Sequence, residues 1–214
     1  MAMTRLASIA FAALVLFATA IVLPLTAEES GPSDHESSAS PAQTAKAVFA
    51  AGCFWCVESD FDHLPGVIDT TSGYTGGTLE NPNYDNHTGH VEAVQVTYDP
   101  SKVNYKQLLD YYWHHVDLTD GGGQFCDRGS AYRPFIFTAN ETEKAEAEAS
   151  KKELEESGRF KSIAVKIAPA GKFWAAEDYH QDYYKKNPLR YRYYRAGCGR
   201  DARLTQLWGD LYQH

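Results

Sequence analysis

Ala47-Val48-Phe49-Ala50-Ala51-Gly52-Cys53-Phe54-Trp55-Cys56-Val57-Glu58 runs from a short apolar segment through a glycine into a cysteine-bearing stretch. Residues 47–51 have the small, apolar composition of a buried strand. A helix is predicted to follow to about His63, closed by Leu64-Pro65-Gly66. Cys53 then stands at the start of that helix, where the backbone dipole favours a thiolate. The bulky rings of Phe54 and Trp55 give it an apolar wall, which pushes its ionisation the other way.

Outward from this junction, strands and helices interleave. Val67–Tyr74 is expected as a second strand, and Thr75–Gly89, rich in Gly, Asn and Pro, as a loop. Val91–Tyr98 alternates, with Glu92, Val94 and Val96 on one face and Val91, Ala93 and Gln95 on the other. A carboxylate thereby shares a face with two valines. Asp99-Pro100-Ser101 is expected to open a helix through Leu108, Leu109 and Tyr112 to about Val116. Further strands are predicted at Phe135–Phe137 and Ile163–Ile167. Asn140 or Thr142 should cap a charged helix ending before Gly158, and another helix should cover Ala176–Lys185. No internal repeat is visible. This order implies an α+β fold, a two-layer mixed-sheet α/β sandwich, with strand order unreadable.

The 214 residues suit one domain with extensions, and the 28 acidic against 20 basic residues (net charge −8) exclude a basic nucleic-acid footprint. Residues 1–27 hold an apolar run, Leu6–Leu25, behind the lone charge Arg5, and end in small residues. They read as an export signal or, uncleaved, as a membrane anchor. Residues 28–46 read as a disordered linker and 47–214 as the catalytic domain. Export places the domain in the periplasm or cell envelope. The four cysteines, Cys53, Cys56, Cys126 and Cys198, are too few for a disulfide scaffold of this size and point to chemistry.

Five blocks carry a family resemblance. They are Gly52-Cys53-Phe54-Trp55, Gly73-Tyr74-Thr75-Gly76-Gly77 with Asn81-Pro82-Asn83-Tyr84, Gly89-His90-Val91-Glu92-Ala93-Val94, Asp127-Arg128-Gly129-Ser130-Ala131-Tyr132-Arg133, and Glu177-Asp178-Tyr179-His180-Gln181. In content and order they resemble the A-type peptide methionine sulfoxide reductases. The resemblance implies a ferredoxin-like core with elaborations, specificity for the S epimer, and repair of oxidised proteins with activity on free methionine sulfoxide. It implies a monomer needing no cofactor or metal and recycled by a thioredoxin-like donor.

It also implies roles. Cys53 is the nucleophile and Glu92 the general acid, its carboxyl held protonated by an apolar surrounding. Tyr84 and Tyr132 bond the sulfoxide oxygen, Asp127 is a second carboxylate, and Phe54 and Trp55 cage the substrate methyl group. Oxygen remains on Cys53 as a sulfenic acid, which a second thiol condenses to a disulfide. Cys198, between Gly197 and Gly199 in an expected mobile tail, ranks first for that resolving role. Cys56 ranks second, since facing Cys53 from a helix calls for local unwinding, and Cys126 third.

Other readings compete. Cys53-Phe54-Trp55-Cys56 is formally the C-x-x-C of a thioredoxin-like dithiol oxidoreductase, but the remaining blocks have no part in that reading. A structural zinc module would want paired C-x-x-C ligands, and Cys126 and Cys198 stand singly. His180 reads as structural, and adjacent His114 and His115 do not face one another.

Overall fold

The computed structural model describes residues 43–212. The export or anchor segment and the linker up to residue 42 lie outside the described residues. The first strand, β1 (Ala45–Ala50), begins at Ala45 rather than Ala47, because Ala45 and Lys46 already pair with Tyr98 and Thr97. α1 (Phe54–Asp62), β2 (Val67–Thr75) and β3 (Val91–Tyr98) follow as expected.

α2 (Tyr105–His114) starts later than the proline suggested. Asp99 instead closes a turn, accepting from the backbone N–H and hydroxyl of Ser101. Asn104 then caps the helix, exchanging side-chain and backbone hydrogen bonds with Gln107. A small hairpin pairs β4 (Gly123–Gln124) with β5 (Asp127–Arg128). β6 (Phe135–Thr138) leads to α3 (Glu141–Glu156), which Asn140 caps by accepting from the Glu143 N–H at 2.9 Å.

The strand expected at 163–167 lies at Lys166–Pro169 (β7). Ile163 and Val165 are buried in the core without strand pairing, so their apolar character served packing. β8 (Trp174–Ala175) adds a short edge. The helix expected over 176–185 shrinks to α4 (Tyr183–Lys186), since residues 176–182 turn across the site. Two helices take the place of the expected mobile tail: α5 (Pro188–Gly197) and α6 (Arg200–Trp208).

The six-stranded sheet has the order β7-β6-β1-β3-β2-β8, antiparallel except for the β6–β7 pair. That parallel pair is joined through α3, the crossover such pairing requires. Within the sheet, β1-α1-β2-β3-α2-β6 with spatial order β6-β1-β3-β2 is the ferredoxin-like core. One sheet face buries Phe49, Val94 and Val96 with Phe61, Leu108, Leu109 and Tyr112 of the helices. The opposite face buries Ala50, Val91, Ala93 and Phe137. The alternation read in β3 therefore holds, and Glu92 shares the helix-covered face with Val94 and Val96.

Candidate active site

β1 delivers the chain into the sheet centre, where Tyr112 donates to the Ala50 carbonyl at 3.0 Å. Gly52 makes the corner with φ +84°, and a Cβ there would stand 2.5 Å from that of Gln124. Only glycine meets both demands. Cys53 is the N-cap of α1, and its carbonyl accepts from the N–H groups of Cys56 and Val57.

At that helix start the Phe54 N–H donates to Glu92 Oε2 at 3.0 Å. A carboxyl from the adjacent strand thus takes one of the donors a helix leaves open. Glu92 is 2 % exposed. Burial raises its pKa to about 8, with the nearby Asp127 adding to the rise and the Phe54 N–H opposing it. It therefore carries a proton at neutral pH.

Cys53, Phe54, Trp55, Tyr84, Glu92, Asp127 and Tyr132 line one pocket, and Tyr194 of α5 joins them. Tyr84 reaches it from a loop tightened by reciprocal backbone bonds between Asn83 and Asn86, and its N–H donates to Glu177 Oε1 at 2.9 Å. Tyr132 comes from the 3₁₀ turn Ser130–Tyr132 after β5. Burial, and then the neighbouring Glu92, raises both phenol pKa values, so both remain O–H donors. Phe54 is 1 % exposed, and Trp55 stacks on Tyr183 with ring centroids 3.7 Å apart.

Sequence reasoning missed several supports. Trp55 Nε1 donates to His180 Nδ1 at 3.0 Å, and the His180 ring packs against Phe54 and Tyr84. Burial lowers the His180 pKa, keeping the ring neutral and Nδ1 free to accept. Glu177 holds the Tyr84 backbone and accepts from the Tyr74 hydroxyl at 3.1 Å. Tyr194 donates to Asp127 Oδ2 at 2.6 Å. Both Glu177 and His180 lie in a block with a readable motif; Tyr194 is one of 14 tyrosines with no such mark.

The cysteines fall into two pairs. Cys53 and Cys56 are free and buried. Because Cys53 is the cap, with φ −51° and ψ 119°, its thiol is free of helical placement. The Cys56 thiol, three residues on, lies within its electrostatic reach. Burial pushes the Cys53 thiol up, with Cys56 and Glu92 adding to the rise and Tyr194 opposing it. The Cys56 thiol is lowered by its hydrogen bond with Cys53 and by the charges of Arg200 and Arg195.

Cys126 and Cys198 form a disulfide with Cα atoms 4.8 Å apart, within the usual range. Cys198 is the C-cap of α5, held between two helices rather than in a swinging tail. Their sulfurs are bonded to one another.

A buried thiol at a helix start, a buried carboxyl and two phenols converging on one pocket are the equipment of a thiol-dependent oxidoreductase. A sequence model of the family Peptide methionine sulfoxide reductase matches residues 45–212. The chain is 54% identical over 168 residues to the peptide methionine sulfoxide reductase MsrA of Bacillus licheniformis, covering 76% of this chain and 93% of the relative. With MsrA 2 of Rhizobium meliloti it shares 51% over 176 residues, 79% of this chain and 88% of the other. Among solved structures, methionine sulfoxide reductase A of Corynebacterium diphtheriae superposes with a TM-score of 0.60 at 34% identity, covering 71% of this chain and 78% of that one. Reduced Mxr1 of Saccharomyces cerevisiae gives 0.63 at 30%, covering 69% and 88%. The chain belongs to the peptide methionine sulfoxide reductase family, A type, and is an enzyme that reduces methionine sulfoxide with thiols.

Proposed function

We propose that Cys53 attacks the sulfoxide sulfur while Glu92 gives its proton to the sulfoxide oxygen, Tyr84 and Tyr132 donating to the same oxygen. Methionine leaves, the oxygen stays on Cys53 as S–O–H, and the thiol proton replaces the one Glu92 gave. The observation that carries this reading is the protonated, buried Glu92 beside the only free thiol in the pocket lining among the described residues. Phe54 and Trp55 form the methyl cage. Asp127, fixed by Tyr194, orders the donors around the oxygen. Substrates are the S epimer in oxidised proteins and the free amino acid.

Recycling is assigned to Cys56, the second choice from sequence. Its thiolate attacks Cys53 Sγ, the S–S bond forms, and the S–O bond breaks, the leaving hydroxide taking the proton of Glu92 to depart as water. Support comes from the two buried free thiols placed three residues apart at one helix start and from the bond that engages Cys198 with Cys126. A thioredoxin-like dithiol then reduces Cys53–Cys56. The apolar run within residues 1–27 supports export to the periplasm or cell envelope, by cleaved signal or retained anchor, where the enzyme acts as a monomer.

The test is methionine sulfoxide reduction with dithiothreitol and with a thioredoxin. Cys53→Ser should abolish reduction with either reductant. Cys56→Ser should complete one turnover and form no internal disulfide. The double variant Cys126→Ser/Cys198→Ser should recycle normally; its failure with thioredoxin would return the resolving role to Cys198.

A further inference from the structure

A buried charge cluster behind the pocket has no part in the sulfoxide step. Arg200, 2 % exposed, crosses the back of α1. Its Nη1 donates to the Ala51 carbonyl at 3.1 Å, and its Nη2 to Asp60 Oδ2 at 3.1 Å and the His115 carbonyl at 2.7 Å. Its buried Nε has no hydrogen-bond partner among the described residues. Cys56 and Asp60 lie four apart on α1, hence on one face, and Arg200 spans that face from Ala51 to Asp60.

Arg195, 5 % exposed, gives Nη1 to Asp60 Oδ1 at 2.7 Å and to the Tyr191 hydroxyl at 3.0 Å. Tyr191 and Tyr183 pack against Cys56 and close the compartment. Two guanidinium groups therefore share one buried carboxylate, Asp60; the second partner of Arg195, Asp201, is 35% exposed. From the other side Cys56 is faced by Cys53, by Tyr194 and by the protonated Glu92, while His115 lies beyond Asp60. The positive charge around this sulfur comes from α5 and α6.

We propose that Arg200, backed by Arg195, is the positioning residue of the recycling step, its buried guanidinium facing Cys56 so that this sulfur meets the Cys53 sulfenic acid as the attacking anion. The proposal rests on Cys56 as the resolving thiol. Arg200 touches neither the substrate nor the transferred oxygen. It holds the carbonyl two residues before the nucleophile and charges the compartment behind it. Asp60 is needed because without it Arg200 would be a buried guanidinium with no carboxylate partner among the described residues. The Cys56 thiol is lowered first by Cys53 and then by Arg200 and Arg195, with burial and Asp60 opposing.

The experiment is a single-turnover quench of the full chain against pH, reading methionine formed and, by mass spectrometry, the Cys53–Cys56 disulfide formed. In the wild type, disulfide formation should titrate below the value of about 8.5 for a free cysteine. Arg200→Gln should raise that midpoint by about one unit and cut disulfide formed per methionine at neutral pH about tenfold, with recovery at alkaline pH. Arg200→Lys should keep the low midpoint. Equal loss in the Lys and Gln variants without a shifted midpoint would reduce Arg200 to a structural tie and overturn the proposal. If Arg200→Gln does not fold, the wild-type profile decides alone: a midpoint at or above that of free cysteine sinks the idea. An internal disulfide formed at normal rate in Cys56→Ser would instead refute the underlying assignment of Cys56.

Discussion

At Glu92 a carboxyl is kept in its acid form by its surroundings, and the consequence for activity has a definite sign. Its folded pKa of about 8 means the proton is present below that pH and lost above it. The rate of methionine formation in single turnover should therefore fall as pH rises through about 8, even though Cys53 ionises more readily there. Glu92→Ala should cost about 10²–10⁴-fold in that step. Glu92→Gln, whose amide still donates, should cost less and lose the alkaline decline. A Glu92→Gln profile that still falls near pH 8 would assign the titration elsewhere. Cys53 and Glu92 were legible in the sequence because the family blocks around them single them out; the strand–helix junction and the valine face alone only marked them as unusual. Tyr194 and Arg200 were not. A buried arginine looks in sequence like any surface arginine, and only its partners Asp60, Ala51 and His115, 85 to 149 residues away, reveal it.

The junction of β1 and α1 places Cys53 at the helix start, and it depends on Gly52. Gly52→Ala demands a left-handed backbone from a residue with a side chain and drives its Cβ into Gln124. Gln124 is itself bound to the backbone of Asp117, so it yields poorly. The substitution should destabilise the fold by about 1–3 kcal/mol in urea unfolding and lower the sulfoxide step further than that loss explains. Wild-type stability and rate would show that the corner adapts. The core strands and α1 were readable because their apolar spacing is strict. α5 was not, since Arg190-Tyr191-Arg192-Tyr193-Tyr194-Arg195 carries no apolar stripe, while the short stripe of α6, Leu204 and Trp208, went unread. Those helices form through Pro188 at the first position and through burial of tyrosine rings and guanidinium groups against α1. The β7 shift has the same origin, since Ile163 and Val165 are apolar for the core's sake.

Across the fold, the Cys126–Cys198 bond ties the β4–β5 hairpin to the α5–α6 corner over a separation of 72 residues. Beside it, Asp127 and Tyr194 meet. Closing a loop of this length should contribute about 2–4 kcal/mol. Cys126→Ser/Cys198→Ser should show that loss in equilibrium urea unfolding, and the wild type in strong reductant should match it. Identical stability of the two under oxidising conditions would mean that the bond is not a brace. Neither this pairing nor the sheet order could be read in advance, because cysteine spacing does not specify connectivity.

The groups that close around α1 come almost entirely from the end of the chain. Trp55 is held by His180, Glu58 by the Asp182 backbone, Asp60 by Arg195 and Arg200, and Asp62 by Tyr184 and Lys185. A chain made from its N-terminus thus exposes both thiols long before their walls exist. The pocket is therefore completed last: Tyr194 of α5 joins a lining whose other members all precede it in the chain.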